Sequence, residues 1–328
     1  MGLNEALTGK RYGGGSYEVT AEAIARYAEA TNDRNELYRG PAPVASPVFG
    51  IVPAFPTIMS AARDPELGAD LLRLVHISEE HVIHRPLRAG DVLTVSATLA
   101  SISADETGER FAVEVELAAD GEVAMLVLAT MLIRGEGARR RRAAPAGASG
   151  PKTSPEILGE RALGVDEDQP QRYSEASGDH NPIHLDEAIA RSAKLPGVIV
   201  HGMCTMAMAT AGVVDELAAG DPGRVRMVAA HFAKPVFPGQ KLRSRWWRSE
   251  DGYEFDVVNR ASVSLLRGRA EVAKCTPRNY ARVRTPLRPR SRRYTPRHGS
   301  AEVGIGILIR RGRNWDSIGA HRISGAEH

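Results

Sequence analysis

The alternation of apolar and polar positions divides the chain into two similar series of elements. Apolar residues recurring at helical spacing mark short helices at 21–30 and 168–176. In each series a polar loop follows, then a second and almost uniformly apolar helical stretch, at about 52–62 and 203–218. Period-two alternation then predicts strands, clearest at 110–117 and 123–133, and again at 227–237 and 261–273. Phe111-Ala-Val-Glu-Val-Glu-Leu117 suits a sheet with one wet face. One apolar helix ahead of antiparallel strands is buried only if the sheet curls around it, so the expected fold class is α+β.

The two series are copies of one pattern. Tyr27-Ala-Glu-Ala-Thr-Asn-Asp33-Arg-Asn35 matches Tyr173-Ser-Glu-Ala-Ser-Gly-Asp179-His-Asn181 at an offset of 146. Further on, Arg85-Pro86-Leu-Arg-Ala-Gly90 matches Lys234-Pro235-Val-Phe-Pro-Gly239 at an offset of 149. Two matches in the same order at nearly equal offset argue for duplication. Residues 135–155, rich in Ala, Gly, Pro, Ser and Arg, read as a solvated linker. The expected organisation is therefore a first domain at 1–134, the linker at 135–155, a second domain at 156–276 and a tail at 277–328.

Composition bounds the function classes. The chain has 328 residues, 42% of them hydrophobic and 25% charged, which fits ordinary globular domains. No apolar run approaches the ~20 residues of a membrane helix, and the start is too polar for a secretory signal, so the expected location is the cytoplasm. Cys204 and Cys275 are the only cysteines, which leaves no disulfide framework or thiolate metal site to expect. The net charge of +3 is uneven: residues 277–328 carry twelve Arg and three acidic residues, +9, so the remainder is −6. A mildly acidic body does not suit a dedicated nucleic-acid binder. The basic tail has few aromatics beyond Tyr280, Tyr294 and Trp315 and reads as a disordered extension.

The candidate chemistry lies in the second copy of the repeat. Asp179-His-Asn-Pro-Ile-His184 puts a carboxylate and an imidazole five residues apart across a Pro-containing turn, where both can point at one water. One group can accept a proton while the other donates, an effect on the order of 10²–10⁴-fold. Asn181 is placed to orient the loop or the water, and Asp179 also has the position of a helix cap. Gly202 opens the apolar helix, where an unsatisfied N–H and the positive end of the helix dipole face outward and no Cβ blocks an approaching oxygen. His201 reads as a helix-start residue without proton chemistry, and Cys204 with Met203, Met206 and Met208 reads as core packing. Asp186 reads as the N-cap of a helix at 187–194. His76, His81 and His84 lie on a predicted strand and are expected to face solvent or a neighbour, without the geometry of a metal site.

The order of helix, Asp-x-Asn-Pro-Ile-His loop, His-Gly-Met helix and Pro-x-x-x-Gly strand resembles the MaoC-like dehydratases, the (R)-specific enoyl-CoA hydratases also called hydratase 2. The resemblance covers about residues 12–274. It implies a double hotdog, two tandem antiparallel sheets each wrapped around a central helix, the two halves pairing as a pseudo-dimer with or without a homodimer. It implies reversible hydration of a trans-2-enoyl-CoA to a (3R)-3-hydroxyacyl-CoA with no metal or organic cofactor. Asp179 and His184 match the family's proton-transfer pair, Gly202 its oxyanion donor and Thr210 a site-lining hydroxyl. The same likeness admits dehydration on an acyl carrier protein in fatty-acid or polyketide synthesis; a non-catalytic acyl-binding subunit is the alternative of another class. In the first copy Tyr38 stands where His184 would, a poor general base with an ordinary pKa of ~10. Asp33 precedes Gly50 by 17 residues, against 23 from Asp179 to Gly202. The first copy is thus expected to be non-catalytic and, by the resemblance, to make room for a bulky acyl group.

Overall fold

The computed structural model describes residues 2–135 and 155–274; the expected tail and nearly all of the expected linker lie outside the described residues. The first half runs β1 (Arg11–Glu18), α1 (Ala21–Ala30), α2 (Ile51–Ala62), β2 (Leu74–Ile83), β3 (Val92–Asp105), β4 (Gly108–Ala119) and β5 (Glu122–Arg134). The second runs β6 (Gly159–Gly164), α3 (Gln169–Ser177), α4 (Glu187–Ser192), α5 (Gly202–Gly212), β7 (Val225–Phe232), β8 (Lys241–Ser249), β9 (Gly252–Val258) and β10 (Ser264–Val272).

All ten strands join one antiparallel sheet in the order β1-β3-β4-β5-β2-β7-β10-β9-β8-β6. The order is a mirror: each strand of the first half has its counterpart at the same distance from the centre. The centre is the β2–β7 pairing, from Ser78 opposite His231 to Val82 opposite Met227. Helix α2 packs on β1, β3, β4 and β5, and α5 packs on β6, β7 and β9. The architecture is the expected α+β double hotdog.

The central helices are what their sequences demand. Every residue of α5 from Met203 to Gly212 is buried, so a helix apolar all round lies in the core. Met203, Cys204, Met206 and Met208 are core residues as expected, and burial pushes the Cys204 thiol up to about 12. The predicted helical stretch 203–218 is α5 followed by a wider turn, in which Ala218 N–H reaches back to the Val213 carbonyl at 3.0 Å.

Contacts at two places, among others, tie the halves together. Helix α3 lies against α1: Gln169 Nε2 donates to the Ala30 carbonyl at 2.5 Å, and Tyr27 and Tyr173 meet with centroids 5.8 Å apart. At the β2–β7 seam the expectation for the strand histidines needs correcting. His84 is exposed, but His81 is fully buried, and His76 and His81 each place Nε2 2.9 Å from one oxygen of the buried Glu79. Burial works against the Glu79 charge, yet the two imidazoles hold its carboxyl below the usual range.

Candidate functional site

The loop after α3 is built by short-range hydrogen bonds its sequence makes obligatory. Gly178 ends the helix at φ 77°, and its counterpart Asn32 ends α1 at φ 55°, so the turn is the same in both halves. Asp179 Oδ1 accepts the Asn181 N–H at 3.1 Å, which makes an Asx turn rather than a helix cap. Asn181 in turn accepts from Ile183 N at 3.3 Å and caps the single 3₁₀ turn that delivers His184. Asn181 is exposed and its Oδ1 is occupied by this cap, so its place is in the loop. Asp186 caps α4 through Ile189 N at 2.9 Å, as expected.

His184 is 7% exposed, and its Nδ1 lies 2.8 Å from the Ile199 carbonyl. A carbonyl only accepts, so Nδ1 carries the proton and Nε2 keeps its lone pair. Burial pushes the His184 pKa below the usual value, against the pull of the Asp179 charge. His201, treated above as a helix-start residue, is drawn into the cluster. Its ring stacks on His184 with centroids 3.7 Å apart and planes 26° from parallel. Its Nε2 lies 3.0 Å from the main-chain carbonyl of Asp179 and 4.0 Å from the carboxylate Oδ2.

Asp179, His184 and His201 present one ligating atom each within 4.8 Å of one another, the composition of a two-histidine, one-carboxylate metal set. Imidazoles ligate in their own plane, and the stack sets these two planes 26° apart with centroids 3.7 Å from each other, a poor approach for two ligands on one ion. The arrangement suits proton exchange by Asp179 and His184 better than chelation.

Gly202 follows His201 as the first residue of α5, with an N–H that has no acceptor within the helix. A Cβ at Gly202 would lie 3.0 Å from the Phe232 ring, so any other residue there would need the ring or the helix start to give by a few tenths of an ångström. Phe232 itself packs edge-on against His76, centroids 5.1 Å apart. Thr210 does not join this group. It is fully buried about 12 Å further along the helix, and its hydroxyl donates to the Met206 carbonyl at 2.8 Å.

The first half repeats the frame with different groups. Asp33 accepts from Asn35 N at 3.0 Å, Asn35 caps a 3₁₀ turn at 3.0 Å, and that turn delivers Tyr38. Phe49 precedes Gly50 and α2 as His201 precedes Gly202 and α5. Phe49 packs on Tyr27 at 5.5 Å, as His201 packs on Tyr173 at 4.9 Å. No helix stands between Tyr38 and α2 in the described residues, whereas α4 fills that interval in the second half. Asp33 is buried, and desolvation pushes its carboxyl up to about 6.

The site residues that sequence reasoning missed are His201 and Phe232. For His201 a signal existed: an imidazole stands where the repeat has Phe49. Phe232 comes from a strand thirty residues on, and nothing near it in sequence points to the helix start.

A sheet wrapped on an apolar helix, with a carboxylate and two imidazoles gathered at the start of that helix, defines a hotdog-fold protein with a candidate acid–base site. Residues 149–265 match the MaoC-like domain, and residues 6–127 match the FAS1-like dehydratase domain region. The 3-hydroxyacyl-thioester dehydratase Y of Mycobacterium tuberculosis is 32% identical over 219 residues, 64% of this chain and 70% of that protein. The peroxisomal multifunctional enzyme type 2 of Mus musculus is 26% identical over 250 residues, 71% of this chain but only 34% of that longer protein. A MaoC-like dehydratase from Phytophthora capsici superposes with a TM-score of 0.72 at 21% identity, over 84% of this chain and 98% of that one. The chain belongs to the MaoC-like dehydratase family and is an enzyme of the hydratase and dehydratase class. No helix among the described residues is long and apolar enough to cross a membrane.

Proposed function

We propose that the protein hydrates trans-2-enoyl-CoA reversibly to (3R)-3-hydroxyacyl-CoA. The reacting groups lie in the second half, residues 156–276, and the first half, residues 1–134, carries no chemistry of its own. The observation that carries the reading is the pairing of Asp179 with a buried His184 whose Nε2 lone pair is left open by the bond to Ile199. In the forward direction water loses a proton to the Asp179–His184 pair as its oxygen bonds to C3. The pair returns a proton to C2, so the site ends in its starting protonation state. Charge that develops on the thioester oxygen is met by the Gly202 N–H and the positive end of the α5 dipole, a type of donor worth ~3–4 kcal/mol. The (R) outcome rests on the likeness to hydratase 2. We place Asn181 as the support of the loop and Thr210 as a wall of the acyl channel.

Long or bulky acyl groups are the proposed substrates. In their favour, the first half lacks the six-residue helix that overhangs the second-half loop. The reverse reaction on a carrier-bound 3-hydroxyacyl group is the second reading. It is favoured by the match of 6–127 to the FAS1-like dehydratase domain region. We assign the protein to the cytoplasm.

The test is loss of the enoyl-thioester absorbance with trans-2-enoyl-CoAs of increasing chain length, run beside His184→Ala and Asp179→Asn. Wild-type turnover with both folded variants slowed by ~10²–10⁴-fold is the expected result. Turnover of carrier-bound but not CoA-bound thioester would select the second reading, and turnover of neither would overturn both.

A further inference from the structure

We infer that His201 is a positioning residue of this site: its Nε2–H pins the main-chain carbonyl of Asp179 to the start of α5, and its ring backs that of His184. The inference rests on the reading of Asp179 and His184 as the reacting groups.

The hydrogen bonds fix what His201 can do. The Asp179 carbonyl, 3.0 Å from Nε2, can only accept, so that nitrogen carries the proton. Nδ1 is then the lone-pair nitrogen, and it is buried with no hydrogen-bond partner among the described residues. The ring is 2% exposed, and burial together with His184 pushes its pKa well below the usual value. His201 is therefore a neutral donor committed to the backbone. It is not a second acid.

The mechanical logic follows from where the two ends of the contact sit. The other bonds of Asp179 stay within its loop, its N–H to Ser177 Oγ at 3.2 Å and its Oδ1 to Asn181 N, while the far end of the loop is tied to the segment ahead of α5 by His184 Nδ1 on the Ile199 carbonyl. His201 belongs to the core, since Thr205 N closes the first turn of α5 on the His201 carbonyl at 3.2 Å. The Nε2–carbonyl bond is thus a strut from the buried helix to the residue whose carboxylate must meet His184. The stack against His184 fixes the second partner from the same ring.

The first half supplies a built-in control. Its equivalent slot, against Tyr27, is filled by Phe49, and the same turn, helix and sheet form around it. A flat ring satisfies the packing. The imidazole stands only in the half that keeps both Asp179 and His184, which is where a donor to the loop carbonyl has a use.

The experiment compares His201→Phe, His201→Gln and His201→Asn in the full chain. Phe keeps the ring and removes the donor. Gln carries an amide N–H to about where Nε2 lies, and Asn stops one carbon short, which also covers the case that the Phe variant does not fold. Turnover of trans-2-enoyl-CoA and hydrogen–deuterium exchange of residues 178–186 are both read. Phe and Asn are expected to lower kcat by ~10²-fold with KM changed by less than about threefold, the size expected when a reacting group is misplaced. The same two variants should speed loop exchange by about tenfold, and Gln should recover most of both. Wild-type kcat and exchange in the Phe or Asn variant would overturn the proposal, as would equal losses in all three with no change in exchange. If wild type turns over no enoyl-CoA, the reaction reading fails, and exchange alone still decides the strut.

Discussion

His184 donates its Nδ1–H to the carbonyl of Ile199 at 2.8 Å, a bond that runs from the 3₁₀ turn to the segment just ahead of α5. It fixes the tautomer and leaves Nε2 as the nitrogen that meets a reactant.

The first prediction concerns pH. Burial moves the His184 pKa below the ordinary 6.5, with the Asp179 charge acting against the shift. A base shifted down stays unprotonated as the pH falls through 6.5. kcat/KM should therefore be flat across pH 6.5 and fall only at lower pH. Profiles measured from about pH 4.5 to 8 would show it. An acid limb centred at or above 6.5 would contradict a neutral, buried His184.

Gly202 and Phe232 should be energetically coupled. A methyl at Gly202 meets the ring at 3.0 Å, so Gly202→Ala must push Phe232 or the helix start by a few tenths of an ångström. The expected loss in kcat/KM is about tenfold, and Phe232→Ala in the same chain should recover part of it. A coupling of roughly 1 kcal/mol in the double-mutant cycle is the measurable quantity. Strict additivity would mean that the ring does not set the space at the amide.

Asp33→Asn should stabilise the protein. The carboxyl has an ordinary value of 3.8 and a folded value of about 6. Below 3.8 both states hold the proton. Between these values the unfolded chain ionises and the folded one resists, so stability falls as pH rises, by roughly 2–3 kcal/mol once above 6. Asparagine keeps the acceptor for Asn35 N and removes that cost. Urea melts should show a gain at pH 8 that disappears near pH 3.5, with turnover unchanged if the first half is non-catalytic.

Glu79→Gln should act in the opposite sense. The wild-type carboxylate is fully buried, and the pair of imidazoles outweighs its burial to lower its pKa below the ordinary 4.5. A lowered acid stabilises above 4.5 and loses that contribution as pH falls through the folded value. Removing one member of a buried pair costs about 3–5 kcal/mol. The variant should melt earlier at pH 7, and the gap should narrow below pH 4.5. An unchanged melt at pH 7 would show that the trio contributes nothing net.

Much of this molecule was legible because its two halves repeat. The pattern Asp-x-Asn occurs in both copies, and both fold into the same Asx turn and capped 3₁₀ turn, so the site loop could be read from local chemistry alone. The apolar helices were equally plain, since no polar face interrupts 203–212. Strand β1 was not legible: Arg11-Tyr-Gly-Gly-Gly-Ser-Tyr-Glu18 has no alternation, and its glycines suggest a turn. It is a strand because α2 lies directly on it, with Thr57 and Val95 where a side chain of Gly14 would be. Strand β8 hid for another reason: Arg and Trp on its wet face blur the period, and Arg245 is held by the Asp256 carboxylate at 2.6 Å across the sheet. His81 was misjudged because a histidine's burial depends on its partner, here the buried Glu79 two residues away, and that pairing is set by the fold rather than by the local pattern. The role of His201 depends on a contact with Asp179, twenty-two positions earlier, that no local pattern records.

The mirror order of the strands places the join at the middle of the sheet and leaves β1 and β6 as its two rims. Drawing the halves apart would break the ladder from Ser78 to Val82, the stretch of strand that carries the buried Glu79. Neither half can lose its structure while the other keeps a finished edge. The described chain should consequently melt in one cooperative transition, with drift in the sequence of the first half limited by what the second half needs as a partner.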